Sequence, residues 1–298
     1  PHADKKCALA NAVCEGDNMK LDLHIHTTDS DGTDTPTQVV ESAKAAGFEA
    51  IAITDHDTLG GVAEGMAAGE RVGLRVIPGC EISAGGVSEV HVLGYGLMPG
   101  CGIDDMLSDM RGERTARMEK MIALLAERGI EIDIERVRSY TNGPVGRAHL
   151  ARALLEGGYV TSIKDAFNKY LAPGAAAYVP RRKLETRMVI SMIRDCGGVP
   201  VVAHPGRGCS DTFWLEECLR AWKKKGLMGV EAYHPAHGLS MARALDRMAR
   251  RNGLLVTGGS DYHGGFKIQK LGDGLTGWKR MEQDYIALEN AISKVSQH

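Results

Sequence analysis

Aromatic side chains are scarce, at 5% of the 298 residues, so an open sheet face that stacks successive bases of a nucleic acid is not expected. A surplus of charge is also missing: the net charge is −2. That argues against a basic surface coating long nucleic acid and leaves room for a pocket that grips one phosphate. No Cys-x-x-Cys pair occurs among the seven cysteines, Cys7, Cys14, Cys80, Cys101, Cys196, Cys209 and Cys218. An odd count without such pairs speaks against a disulfide framework and against a zinc ribbon. Free thiols in a reducing cytosol are the expectation, and with them a cytoplasmic location. No apolar run approaches the ~20 residues of a membrane span, so no membrane partner is expected. Residues 1–18 hold no signal-peptide core, because Lys5 and Lys6 precede only a short Ala-rich stretch. They read as a poorly ordered extension, with structure beginning at Met19. Internal repeats and low-complexity tracts are absent.

What is present is the composition of an ordinary globular protein, 43% apolar and 25% charged. The length suits one large α/β domain, or one domain carrying a small inserted one. Seven short apolar runs read as buried strands: 20–24, 49–54, 74–78, 89–95, 199–203, 229–233 and 254–257. Their continuous apolar character suits strands covered on both faces by helices. Thr35-Pro36-Thr37-Gln38 is a helix start, with an N-cap Thr, Pro in the first turn and Gln three residues after the cap. Gly47, Gly197-Gly198 and Asn252-Gly253 read as helix stops. The alternation of strand and helix predicts a parallel sheet or barrel, α/β in class. It breaks once. Between 104 and 183 no strand is evident, and helices are predicted at 105–128, 132–140, 146–156 and 162–170. The expected organisation is a barrel built from 19–103 and 184–298 with a helical insertion at 104–183 that closes over the substrate pocket as a lid. Leaving after strand four and returning before strand five, the insertion is expected to emerge near the ligand-bearing strand ends. The thirteen Met residues read as core filling.

His and acidic residues are not scattered. Strand one ends in Asp22-Leu23-His24-Ile25-His26, and residues two apart in an extended segment share a side. Strand two ends in Thr54-Asp55-His56-Asp57, strand three in Pro78-Gly79-Cys80-Glu81, and strand four carries His91. Strands five to seven end in Ala203-His204-Pro205, Tyr233-His234-Pro235 and Ser260-Asp261-Tyr262-His263. Each strand thus delivers a His or a carboxylate at or near its C-terminal end, the face where a parallel barrel builds its active site. Imidazole and carboxylate groups without thiolates suit Mn, Zn or Fe(II). The supply exceeds the four positions of one structural zinc. Two or three ions are therefore expected, with Glu81 able to bridge. Such clusters make hydroxide from bound water and clamp the oxygens of a transferring phosphoryl group. Asp22, Asp55 and Asp57 read as supporting or capping groups.

The segments His24-Ile-His26-Thr-Thr-Asp-Ser-Asp31-Gly, Ile-Thr-Asp-His56-Asp, Pro-Gly-Cys-Glu81-Ile-Ser, His91-Val-Leu-Gly-Tyr, Ala-His204-Pro-Gly-Arg and Gly-Ser-Asp261-Tyr-His263-Gly resemble the polymerase-and-histidinol-phosphatase (PHP) family. The likeness runs from Met19 to about Leu275 and is closest to the stand-alone phosphoesterases with a helical insertion. That branch includes 3′,5′-nucleoside bisphosphate phosphatases, cyclic phosphodiesterases and a 5′→3′ exoribonuclease of short RNA. The resemblance implies a distorted (β/α)7 barrel, TIM-like in plan, and a trinuclear metal centre. It implies His24, His26, Glu81 and Asp261 on a first divalent ion, Glu81, His91 and His204 on a second, and Asp31, His56 and His263 on a third. Asp31 stands where some relatives have His. Mn(2+) is the first expectation, with Zn(2+) or Fe(2+) as substitutes.

A phosphoesterase also needs cations away from its metals. Arg147 and His149 open a predicted helix, a ready anion site, and Arg181 follows Tyr178-Val-Pro. Relatives share a Gly-Arg-x-His and a Tyr-Val-Pro element. Arg147, His149, Arg181 and His237 are therefore expected to bind substrate phosphate. Arg207, on the barrel rim, and His234 are expected to take part in catalysis, His234 as a proton donor. The expected activity is hydrolysis of a small phosphorylated nucleotide or sugar by in-line attack of a metal-bound hydroxide. Exoribonuclease action on short RNA, amide or lactone hydrolysis, and a binding module without chemistry are the competing readings. Long nucleic acid is not an expected partner, and nothing in the sequence fixes the oligomeric state.

Overall fold

Apolar runs and capped helices alternate along the chain, and the computed structural model follows that alternation. It describes residues 19–85, 89–180, 184–207, 209–266 and 268–295. The expectation for 1–18 lies outside the described residues, as does Arg181. In chain order the elements begin β1 (Leu21–Ile25), α1 (Pro36–Ala45), β2 (Ala50–Ile53), α2 (Val62–Val72), β3 (Arg75–Gly85) and β4 (Glu89–Tyr95). Helices follow: α3 (Asp104–Ala126), α4 (Ile134–Arg138), α5 (Arg147–Glu156) and α6 (Ile163–Ala166), which widens into a π-helix at Phe167–Leu171. The chain then forms β5 (Leu184–Glu185), α7 (Thr186–Asp195), β6 (Val199–Ala203), α8 (Thr212–Lys223), β7 (Gly229–Tyr233), α9 (Leu239–Arg251), β8 (Leu255–Gly258) and α10 (Met281–Val295). Helix α1 starts as its sequence dictates. Thr35 Oγ1 accepts from Gln38 N, and the Gln38 side chain accepts from Thr35 N.

The main sheet runs β1-β2-β3-β4-β6-β7-β8, with the two-residue β5 paired to the end of β3. It is nearly a barrel. Beyond β8, Asp261 N donates to His24 O and His26 N donates to Tyr262 O, at 3.0 and 2.9 Å, closing the gap against β1. The sheet is not all parallel, as the alternation suggested. β4 runs antiparallel to both β3 and β6. The cause is local. Strand β3 does not stop at Pro78 but continues to Gly85, so only three residues separate it from β4. A parallel partner would need a crossover of a dozen residues or more, whereas a hairpin needs very few. The largest hydrophobic cluster lines the barrel and its covering helices, with Leu23, Ile77, Leu93, Val201 and Val230 at its centre.

The reversal changes how the helical segment reaches the site. Strand β4 ends at Tyr95, at the opposite end of the barrel from the C-termini of β3 and β6, to which it runs antiparallel. Helix α3 makes the return journey. Its 23 residues cover about 34 Å at 1.5 Å per residue. Met106, Leu107 and Met110, early in α3, belong to the barrel core, whereas Met118, Met121 and Leu125 belong to a separate core with Leu150, Leu154 and Leu171. One rigid helix therefore spans both.

Two further contacts tie this second core to the loops around the strand ends. Arg114 of α3 donates through Nε to Asp57 Oδ2 at 2.7 Å and through a terminal nitrogen to Ser83 Oγ at 3.0 Å. Asn142 N and Thr141 Oγ1 both donate to Thr28 O. Gly143 lies so close to the same loop that a Cβ there would sit 1.7 Å from Asp29 O. Gly143→Ala must therefore pull the two loops apart, at a cost of about 1–3 kcal/mol. A lower denaturant midpoint with an unchanged slope is the expected outcome, and a midpoint equal to wild type would show that the contact holds nothing.

Candidate metal centre

The two-residue period of β1 sends Asp22, His24 and His26 to one side. Asp22 stays below and holds the backbone of the last loop, accepting from Ser260 N and Gly272 N at 2.9 and 2.8 Å. His24 and His26 meet above it, with their Nε2 atoms 3.1 Å apart. Both face Glu81 Oε2, at 3.3 and 3.2 Å, and His26 Nε2 lies 3.3 Å from Asp261 Oδ1. The other oxygen of Glu81 meets His91 Nδ1 at 2.7 Å and His204 Nε2 at 2.9 Å. On the far side, His263 Nε2 lies 3.1 Å from Asp31 Oδ1. His56 stands between, with Nδ1 3.0 Å from Glu81 Oε2, and it also shares a grouping with Asp31, His26 and His263. All nine side chains expected as ligands come together. His91 does so from near the start of its strand, because β4 is reversed.

These residues fit divalent cations. Glu81 Oε2, Asp31 Oδ1 and His56 Nδ1 are buried and make no hydrogen bond. They converge on one another and on imidazole nitrogens, an arrangement that is costly to bury unless positive charge stands among them. The donors are imidazole and carboxylate only, the set suited to Mn, Zn or Fe(II). Cys80, beside Glu81, packs in the hydrophobic core, and burial pushes its thiol well up.

Tautomers are set from outside the cluster. His24 Nδ1 donates to Glu231 Oε1 at 2.9 Å, and the other oxygen of Glu231 accepts from His204 N at 2.7 Å. His26 Nδ1 donates to Ser30 Oγ, whose hydroxyl in turn donates to Asp55. His263 Nδ1 donates to Asp261 O at 2.7 Å. In each ring the Nε2 lone pair is thereby left facing inward. Among the described residues only Asp57, His204 and Asp261 combine a side chain with positive φ, at 53°, 28° and 54°. Two are expected ligands and the third anchors Arg114, so local backbone strain collects at this site.

The charges divide unevenly. Burial works against ionisation of Asp31 and Glu81. Imidazoles outweigh it, His263 and His56 at Asp31 and His56 and His91 at Glu81, and both carboxyls sit well below the usual range. Burial likewise works against a charged His26, but Asp261 and Glu81 raise it to about 9. His24 is held well above its ordinary value by Glu231 and Glu81 despite burial. Burial prevails at His56 and His204, pushed down to about 3 and about 4.

The groups expected to touch substrate fare differently. His234 is buried, and its Nδ1 accepts from Ala236 N at 2.9 Å. The neutral ring must then carry its proton on Nε2, which lies 3.7 Å from Asp261 Oδ2. Arg147 lines a cavity of about 300 Å³ together with Arg207, His91 and His204. A hydrogen bond to Leu171 O and the rings of Phe167 and Tyr178 position its guanidinium. One expectation is corrected. His237 donates from Nδ1 to Ala232 O and accepts at Nε2 from Gly206 N, so both ring nitrogens are spent on backbone and neither is placed to grip a phosphate. His149 is buried, and its Nδ1 accepts from Gly146 N to close the start of α5, which leaves Nε2–H buried and without a hydrogen bond.

Glu231 and Arg114 escaped the sequence reading. A lone Glu inside the apolar run Gly-Val-Glu-Ala-Tyr was the available signal for the first. Nothing marked Arg114 among the many charges of α3.

A cluster of this kind at one end of a nearly closed barrel defines a metal-dependent hydrolase. The PHP domain profile matches residues 22–94. The chain is 34% identical to the 3′,5′-nucleoside bisphosphate phosphatase of Chromobacterium violaceum, over 82% of this chain and 87% of that one. It is 34% identical to the phosphoribosyl 1,2-cyclic phosphate 1,2-diphosphodiesterase of Eggerthella lenta, over 83% and 95%. It is 31% identical to a 5′-3′ exoribonuclease of Haemophilus influenzae, over 82% and 90%. A solved structure from Bifidobacterium adolescentis, described as a metal-dependent phosphoesterase, superposes with a TM-score of 0.84 at 32% identity, over 93% and 98%. The chain belongs to the PHP family, and it is a hydrolase acting on phosphoric ester bonds.

Glu231→Gln keeps the shape and removes the charge that orients His24. Metal affinity, read by chelator competition and elemental analysis, is expected to fall about 10- to 100-fold. Unchanged affinity would reduce Glu231 to a packing residue.

Proposed function

We propose that this enzyme hydrolyses a small phosphorylated nucleotide or sugar carrying a second anionic group, with three divalent ions, Mn(2+) first among them, held by the nine side chains above. Ions there would lend positive charge to the phosphoryl oxygens and acidity to a water molecule. His24, His26, Glu81 and Asp261 would hold the first, Glu81, His91 and His204 the second, and Asp31, His56 and His263 the third. The observation that carries the proposal is the cavity that opens on His91 and His204 and is lined by Arg147 and Arg207. Guanidiniums beside the cluster but outside it support a grip on a second anionic group. His234 serves as a hydrogen-bond donor. The Ala236 contact leaves its Nε2–H turned toward the cluster, where it can stabilise charge growing on the departing ester oxygen without giving up its proton.

The helical segment up to residue 180 would cover this space, with Arg147 in the cavity wall. Arg114 and the loop 141–143 hold it to the barrel on two sides. A cover of that kind favours small substrates.

A second reading has one observation behind it. On the Asp31 side an open groove is lined by Thr28, Thr33, Ser139, Tyr140 and Arg152, a surface along which a short single strand could leave. Kinetics over a length series of 5′-phosphorylated oligonucleotides separates the two. We expect kcat/KM to stay flat or fall beyond one or two nucleotides, and a steady rise would make the exoribonuclease the better assignment.

Substitutions should divide by role. Glu81→Ala or Asp261→Ala should abolish turnover of every ester. Arg147→Ala should cost a substrate with a second phosphate about 1.5–3 kcal/mol in kcat/KM while sparing a simple aryl phosphate. Equal losses on the two would make Arg147 structural.

A further inference from the structure

We infer that Trp214 selects a leaving group that carries an aromatic base, and so makes the enzyme a nucleotide rather than a sugar-phosphate hydrolase. The inference rests on the phosphoesterase reading above and adds to it the identity of the leaving group. Its basis is the make-up of the cavity beside the cluster. Its lining combines His91, His204 and the two arginines with the apolar Val202, Leu215, Trp214 and Trp222. A molecule with an anionic group and a flat apolar group matches both sets of residues. A sugar phosphate without a base matches only one. The volume of about 300 Å³ lies within the range of small-molecule sites.

The aromatics are distributed unevenly. The chain has three Trp and four Phe. Trp278 is buried and stacked on Tyr233, a structural role. The other two Trp line this one cavity. Trp214 is nevertheless 41% exposed, and its neighbour Phe213 is 78% exposed. Both lie in the first turn of α8, held there by Asp211 Oδ1, which accepts from Phe213 N and Trp214 N at 3.0 Å each. Folding gains little from a half-exposed indole at a cavity mouth. A stacking platform for a base gains much.

The test uses the full-length chain. Kinetics are compared on adenosine 3′,5′-bisphosphate and on its abasic ribose analogue. Trp214→Leu should lower kcat/KM on the nucleotide roughly 5- to 150-fold, the range of one base–aromatic stack. Trp214→Phe should stay within about 3-fold of wild type, since a ring remains to stack on. The abasic ester should respond to neither change. A second readout needs no turnover: AMP titrated into chelator-treated protein should quench tryptophan fluorescence, ribose 5-phosphate should not, and Trp214→Leu should remove the AMP response. Equal losses on the two esters, or an AMP response that survives in Trp214→Leu, would overturn the inference. Failure of the wild type to hydrolyse any phosphate ester would count against the phosphoesterase reading instead, and the fluorescence arm would still decide the base site.

Discussion

Five imidazoles press on one buried carboxylate. Glu81 meets His24, His26 and His56 through one oxygen and His91 and His204 through the other. It can do so because β3 changes partner beside it. Up to Pro78 the strand pairs with β2 in parallel, and from Gly79 onward it pairs with β4 in antiparallel register. Glu81 therefore stands where the parallel half of the barrel meets the reversed strand. The reversal brings the start of β4, rather than its end, to this face. His91 pairs with Ala203, one residue before His204, so a residue near the start of β4 arrives level with residues at the ends of the others.

So much buried charge has to be neutralised. Without cations, His24 and His26 draw protons while His56 and His204 remain neutral. Protons and divalent ions thus compete for the same nitrogens, and folding, metal binding and protonation are linked. The outer groups bias that competition. Glu231, Ser30 with Asp55, and the Asp261 carbonyl each fix a ring nitrogen on the outside, so the inward lone pairs are oriented before any ion arrives.

The ligand set was legible because strands print their geometry on the sequence. His24 and His26 are two apart, and the remaining candidates fall at the ends of apolar runs. Direction was not legible. An apolar run reads alike either way, and only the length of β3 past Pro78 reveals the hairpin. The parallel-barrel logic still placed His91 at the site, for the wrong reason, since the residue stands near the start of a reversed strand. Reading by residue type also overcounted. His237 looks like a phosphate ligand in a chain rich in site histidines, yet both of its ring nitrogens are committed to nearby backbone groups. Side chain-to-backbone bonds of this sort leave no periodic trace. The positive φ angles at Asp57, His204 and Asp261 leave none either.

The reversed strand also dictates what kind of cover the site can have. Because β4 delivers the chain to the far end of the barrel, the chain must return along α3, and that helix is packed against the barrel core over its first turns. A segment carried on such a strut is tied to the barrel through the helix itself. Arg114 fixes the strut to Asp57, and Asp57 Oδ1 accepts from Ser83 N, two residues beyond Glu81. The cover and the central carboxylate thus share one buried hydrogen-bonded chain of residues. Anything that tilts α3 shifts Asp57, the end of β3 and with it Glu81. The cavity's walls come from β4, β6, α5 and α8 and from His204, Pro205, Arg207 and Cys209 in the loop after β6. Arg147 and Trp214 stand on helices, apart from the nine side chains of the cluster, so under the proposed function changes at either would redirect specificity without disturbing the metal cluster.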